Sequence, residues 1–144
     1  MLYGKDRIPP SHVPCYPSLI FSVLLHMDTF GLPQTKDFYC DFVLNKKLNI
    51  EKIRETEKVL AYYHTKPNWT IHIVIIPKQH VMRLVELSDM HVIEEIFQVA
   101  QDIIKEKGFA ESNYKIITNG GSFQDSQHLH FHLVSGEVKI SSGE

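Results

Sequence analysis

The sequence predicts an α+β fold: a mostly antiparallel five-stranded sheet with one long helix and a short helix. Three observations carry this. Short β-branched and aromatic segments lie both before and after a single stretch of helical period. The links between them are short, which favours antiparallel neighbours over crossovers. A doubly wound parallel sheet needs several crossover helices, and the chain shows one strong helix.

The elements follow in order. Residues 1–36 hold five of the seven prolines (Pro9, Pro10, Pro14, Pro17, Pro33) and little strand alternation. They read as an N-terminal extension or linker with a short helix near Leu19–His26, and Met27 is a candidate alternative start. The catalytic-type domain is expected over 37–144. Phe38 to Leu44 reads as the first strand. Asn45-Lys46-Lys47 is a turn, and the charges of Lys46-Lys47 and Glu51-Lys52 read as a solvated turn and short helix. Glu57–His64 is the second strand, broken by Lys66-Pro67-Asn68. Thr70–Ile76 is the third, closed by Pro77. Ser88 is the expected N-cap of the long helix, with Asp89 in its first turn. Ile93, Ile96, Phe97, Ala100, Ile103 and Ile104 form one apolar stripe, and Gly108 suits the residue after the helix. Asn113–Thr118 and Leu129–Val134 are the last two strands, separated by the loop Asn119-Gly120-Gly121-Ser122.

Composition excludes several classes. The chain has 144 residues, 43% hydrophobic and 22% charged. That suits one globular domain and excludes disorder or a disulfide scaffold. A net charge of −2 supplies no basic field for a nucleic acid polymer or an acidic membrane. The apolar run Leu19–Leu25 is too short to span a bilayer. Its proline-crowded approach and the lack of a cleavage site argue against a secretion signal. A cytoplasmic protein is expected, with Cys15 and Cys40 as reduced thiols.

Nine histidines are the unusual count. Three stand in His128-Leu129-His130-Phe131-His132-Leu133-Val134. Strand side chains alternate, so His128, His130 and His132 share one face, about 6–7 Å apart, and Leu129, Phe131 and Leu133 share the other. A purely solvated polar face is one reading of this. A metal site is another, with His128, His130 and a third ligand from His80, His72, Cys40 or Asp125. The third is nucleophilic catalysis by a neutral imidazole, with the flanking histidines orienting it and donating hydrogen bonds. Asn119, Gly120, Gly121, Ser122, Gln124 and Ser126 upstream, with Lys78 and His80, offer donors that suit a phosphate-bearing ligand. His72 reads as a satisfied core histidine, and His12, His26 and His91 as surface. Trp69 reads equally as a lid over a base or as rim packing. Tyr62 and Tyr63 read as split between core and surface.

His-x-His-x-His followed by two apolar residues resembles the signature of the histidine triad (HIT) family of nucleotide hydrolases and transferases. Phe38–Phe42, Val59–Tyr63, the stretch from Pro67 through His72 to Pro77-Lys78-Gln79-His80, Asn119-Gly120 and Gln124 are similar to further family segments. The resemblance spans about 100 residues, from Asp37 to Gly136. It implies that His130 attacks the α-phosphate and forms a nucleotidyl-histidine, which water or another acceptor releases. It implies that His128 and His132 orient the nucleophile and bind phosphate or leaving group. His80, Gln124 and Asn119 then match substrate-binding positions, with Ser126 and Lys78 beside them. No cofactor is required on this reading, and Mg²⁺ only accompanies a polyphosphate substrate. A homodimer is the implied assembly. The chain departs from the pattern at Asp37, where many members have the first cysteine of Cys-x-x-Cys, and this predicts no zinc. It departs at His64, in place of a ribose-binding acid, and at Asp125, in place of a serine. A nucleotide-binding module with little turnover is the alternative function.

Overall fold

The computed structural model describes residues 35–139. The expectations for the N-terminal extension, including Cys15, His12, His26 and a helix near Leu19–His26, lie outside the described residues.

The sheet has five antiparallel strands: β1 (Lys52–Glu55), β2 (Val59–Tyr63), β3 (Trp69–Pro77), β4 (Tyr114–Thr118) and β5 (Phe131–Val138). Their order is β1-β2-β3-β5-β4. The helix α1 (His91–Glu106) covers one face. A π-helical segment, Tyr39–Leu44, covers the other. Alternation divides the side chains between these two layers. Val59, Ala61, Ile73, Ile75, Leu129, Phe131 and Leu133 pack with α1. Leu60, Tyr62, Val74 and Ile76 pack with Tyr39 and Val43. Double coverage explains why β2 and β3 are nearly continuous apolar runs rather than alternating ones.

The five-stranded α+β expectation holds, with one exchange of elements. Phe38–Leu44 is helical rather than a strand. Asp37 Oδ1 accepts the Cys40 N–H at 2.9 Å, a capping bond that starts a helical turn. Asn45 Nδ2 donates to Cys40 O at 2.6 Å near its end. The aromatic residues that suggested a strand instead dock on the sheet. The missing strand is β1, which the sequence reads as a solvated turn and short helix. It is an edge strand carrying the Lys52–Glu55 ion pair, and charged edges protect a sheet from further pairing.

Helix α1 starts at His91, after Met90, and Ser88 makes no cap. Asp89 Oδ1 instead accepts the His91 N–H at 3.0 Å. The buried stripe is Val92, Ile96, Val99, Ala100, Ile103 and Ile104. Phe97, 46% exposed, sits at its margin, edge-on to Phe131. Gly108 follows the helix at φ +72°, the left-handed conformation that ends helices. Among the described residues no helix is long and apolar enough to cross a membrane.

Gly136 interrupts β5 at φ +80°, and a Cβ there would lie 2.8 Å from Thr70 Cβ. Both backbone strain and a side-chain clash therefore oppose substitution. Gly136→Ala is expected to cost about 1–3 kcal/mol of stability. The urea midpoint measures it.

Candidate active site

Two local features bring the histidines together. Residues 128–130 lead into β5, and the Leu129 N–H donates to Val81 O at 2.6 Å. From there alternation turns Phe131 to α1 and His132 to the opposite face. The π-helical segment closes over that face. The Tyr39 ring lies 4.9 Å from His130 and 5.7 Å from His128. The triad face is thus covered rather than open: His130 is 3% exposed and His128 is fully buried.

Beside it lies a cavity of about 580 Å³. His130, His132, His64, Asp125 and Ser126 line it, with Tyr62 and Tyr63. Ser126 is buried, and its Oγ accepts the Phe38 N–H at 3.1 Å.

Hydrogen bonds set the tautomers. His130 Nδ1 lies 2.8 Å from His128 O, which can only accept. The proton is therefore on Nδ1, and Nε2 carries the lone pair. On β3, His72 Nδ1 accepts the Asn68 N–H at 3.1 Å. Its proton is on Nε2, which donates to His132 Nδ1 at 2.9 Å. His132 in turn keeps its proton on Nε2, as a donor. The His130 and His132 rings meet edge-on, with centroids 5.0 Å apart.

Burial keeps these imidazoles neutral. It pushes His130 below the ordinary histidine value, opposed by the bond to His128 O. Burial, then the neighbouring His130, His72 and His64, push His132 down to about 3. Burial, then His64 and Lys139, push His72 down to about 4. The unfolded chain binds protons at these sites near pH 6.5 and the folded chain does not. Stability present above pH 6.5 is therefore expected to fall as pH drops toward about 4. Urea titrations across that window measure it, and His72→Phe should flatten the slope.

Several residues named from the sequence stand elsewhere. His128 Nε2 donates to Pro77 O at 2.9 Å, so the ring points away from the cavity. It serves the site through its carbonyl. His80 Nδ1 lies 2.7 Å from Asp37 Oδ2. Lys78 Nζ donates to Thr56 O and pairs with Glu55, on the far side of β2. Gln124 Nε2 donates to Met82 O and Ser126 O, bracing the loop. Asn119, Gly120 and Gly121 are not on the cavity wall. Trp69 meets His72 edge-on at 5.2 Å, which is packing behind the site rather than a lid. Tyr62 is 1% exposed and Tyr63 half-buried, the split expected.

Two residues escaped sequence reading. His72 is buried, as a core histidine would be, yet it fixes the His132 tautomer. Its register opposite Val134 is the only signal that could have placed it there. Tyr39 required knowing that its segment is helical.

Among the described residues, two groups of side chains bring ligand atoms within 4.8 Å of one another. His64, His72 and His132 are the first. Backbone N–H groups from Lys66 and Asn68 occupy the Nδ1 lone pairs of His64 and His72. Their Nε2 atoms therefore carry protons, and a metal would have to break this pattern. The trio is an array of donors. Asp37, Cys40, His80 and His128 are the second group. The His128 Nδ1 lone pair faces Asp37 Oδ2 and Cys40 Sγ, each at 3.5 Å, and acceptors so placed need a proton or cation among them. Burial tends to raise the Asp37 carboxyl. A proton shared onto His128 Nδ1, the hydrogen bond from the Cys40 N–H and the proximity of the His128 and His80 rings more than offset this and hold it low. A carboxylate, a thiolate and two imidazoles fit zinc. Cys40 is not a free thiol in this structure, so its expected reduced state does not hold, and a thiolate is available only on reduction. The sequence offers His128, His80 and Cys40 among its candidate ligands but pairs them with His130 and expects no zinc; the fold replaces His130 with Asp37.

The HIT domain family model matches residues 45–139. The chain belongs to the HIT domain family. An uncharacterized HIT-like protein of Rickettsia prowazekii is 33% identical over 103 residues, covering 68% of this chain and 86% of that one. A 14 kDa zinc-binding protein of Zea mays is 30% identical, covering 67% and 79%. Among solved structures, a histidine triad protein from Clostridium difficile superposes with a TM-score of 0.65 at 31% identity, covering 78% of this chain and all of that one. In this HIT domain the histidine bonded to the triad is His72, while His80 stands with Asp37.

Proposed function

We propose that this HIT domain hydrolyses or transfers a nucleotidyl group at the α-phosphate of a nucleotide ester, anhydride or phosphoramidate. One observation carries the reading. His130 is held with Nδ1–H on a carbonyl, which leaves the Nε2 lone pair on a neutral ring that lines a nucleotide-sized cavity.

Nε2 attacks phosphorus, the N–P bond forms, and the bond to the leaving group breaks; the departing anion takes its proton from solvent. Positive charge develops on the His130 ring. His128 O, accepting from Nδ1–H, and the Asp125 carboxylate both stabilise it. His132 Nε2–H is the donor to a phosphoryl oxygen. Water then cleaves the N–P bond, the nucleotide leaves as its acid, and His130 returns neutral. Mg²⁺ enters only as the counter-ion of a polyphosphate substrate. Asp37, Cys40, His80 and His128 would hold a structural metal in the reduced chain, tying the π-helical segment to the sheet. The family resemblance implies a homodimer.

Rapid mixing with labelled adenosine phosphoramidate, acid-sensitive adducts being preserved at alkaline quench, is expected to trap label on His130. Turnover without any adduct overturns the covalent step. Asp125, an acid on the wall where an anion must bind, favours the second reading, a binding module with slow turnover. Binding without release of product identifies it.

His72 acts through His132 as a positioning residue. His72→Phe keeps the ring volume and removes the Nε2–H. It is expected to lower kcat by about 10- to 100-fold with KM nearly unchanged. Steady-state kinetics separates the two constants, and a change confined to KM counts against the role.

A further inference from the structure

His64 is not needed for the step at His130, yet its polarity at the cavity is set by the fold. Its backbone N–H donates to His72 O at 2.8 Å, which anchors it just beyond β2. Its ring stacks on His72, with centroids 4.1 Å apart and planes 17° from parallel. Its Nδ1 accepts the Lys66 N–H at 2.9 Å. Burial, then the neighbouring His130, push His64 below the ordinary histidine value, so the ring is neutral and its single proton is on Nε2. An N–H of this kind can only donate. It can donate to a hydroxyl oxygen or to a phosphate oxygen, and the bond to the charged phosphate oxygen is the stronger.

The position along the wall matters as much. From His130 to His132 is 5.0 Å between ring centroids, and from His132 to His64 is 5.7 Å. His64 therefore stands one ring beyond His132 from His130. Lys66 lines the same end of the cavity. Two acids also line it. The field of Asp125 falls on His130 and Tyr39, at the reacting end, and that of Glu51 falls on Lys107.

We propose that His64, with Lys66 beside it, forms a second anion subsite that selects nucleotides carrying a phosphate on a sugar hydroxyl. This rests on the nucleotide reading of the cavity and names the substrate class within it. A carboxylate at position 64 would repel such a phosphate, whereas the imidazole N–H donates a hydrogen bond to it.

The test is calorimetric binding by the full chain. The ligands are nucleoside 5′-monophosphates and the matching 3′,5′- and 2′,5′-bisphosphates of all four common bases. One bisphosphate is expected to bind about tenfold tighter than its monophosphate. His64→Asp is expected to remove that preference, read as the ratio of bisphosphate to monophosphate affinity measured in the same variant. His64→Gln, which retains an N–H donor, is expected to keep it. Equal affinity for mono- and bisphosphates in the wild type overturns the proposal, as does a preference that survives His64→Asp. Either result leaves the nucleotide reading standing, because monophosphate binding is still seen. Failure of every nucleotide to bind overturns both.

Discussion

His130→Asn is expected to lower turnover of a nucleotide phosphoramidate by on the order of 10³-fold or more, with nucleotide binding retained. The asparagine amide is close in size to the imidazole edge that faces His128, and its N–H can still donate to His128 O. It lacks the lone pair that Nε2 presents to phosphorus. The effect therefore falls on kcat, and calorimetry with a nucleoside monophosphate should give an affinity close to wild type. The ring is 3% exposed and packs at a tilt against Tyr39, so a stability loss would be a competing cause of lost activity. A thermal melt of the same variant distinguishes them. Equal rates of product release from wild type and variant would end the case for a covalent nucleotidyl-histidine.

Ile103→Ala is expected to cost about 2–5 kcal/mol of folding stability. Ile103 has no exposed surface and lies in the core between α1 and the sheet, with Ile73, Ile75 and Leu133 in the same cluster. Removing its branched side chain loses transfer free energy and leaves a void that rigid strands cannot collapse to fill. Against a typical total of about 5–15 kcal/mol, the loss is large. Urea unfolding should show a lower midpoint with an unchanged slope. The partly exposed Phe97, nearly two turns earlier, should tolerate Phe97→Leu far better, and comparable losses at both positions would contradict the assignment of the buried stripe.

Much of this architecture is written in local pattern. The three- and four-residue spacing through Ile96, Ala100, Ile103 and Ile104 predicts α1, because burial against a flat sheet requires one continuous stripe. The β-branched run Thr70–Ile76 predicts β3. Alternation through His130-Phe131-His132 puts two imidazoles opposite the α1 face, and that is where they stand. Phe38–Leu44 and Lys52–Glu55 were legible only in part. Aromatic content suits both a strand and a docked helical turn, and a charged edge strand has no buried face to give it a period.

The site divides along the same line. The placement of His130 and His132 side by side, and the proposal that His130 reacts, follow from period and chemistry within one short segment. The partners of those rings do not. His72 is remote in sequence and looks like core until β3 pairs with β5. His128 and His80 look like phosphate ligands until each is seen bonded elsewhere, one to Pro77 O and the other to Asp37. Lys78 looks available until Glu55 takes it. Sequence by itself determined which face of which strand carries the imidazoles, because side-chain alternation is a property of the local backbone. Only the tertiary structure decided which nitrogen of each ring holds the proton, because that depends on acceptors and donors contributed by other segments of the chain.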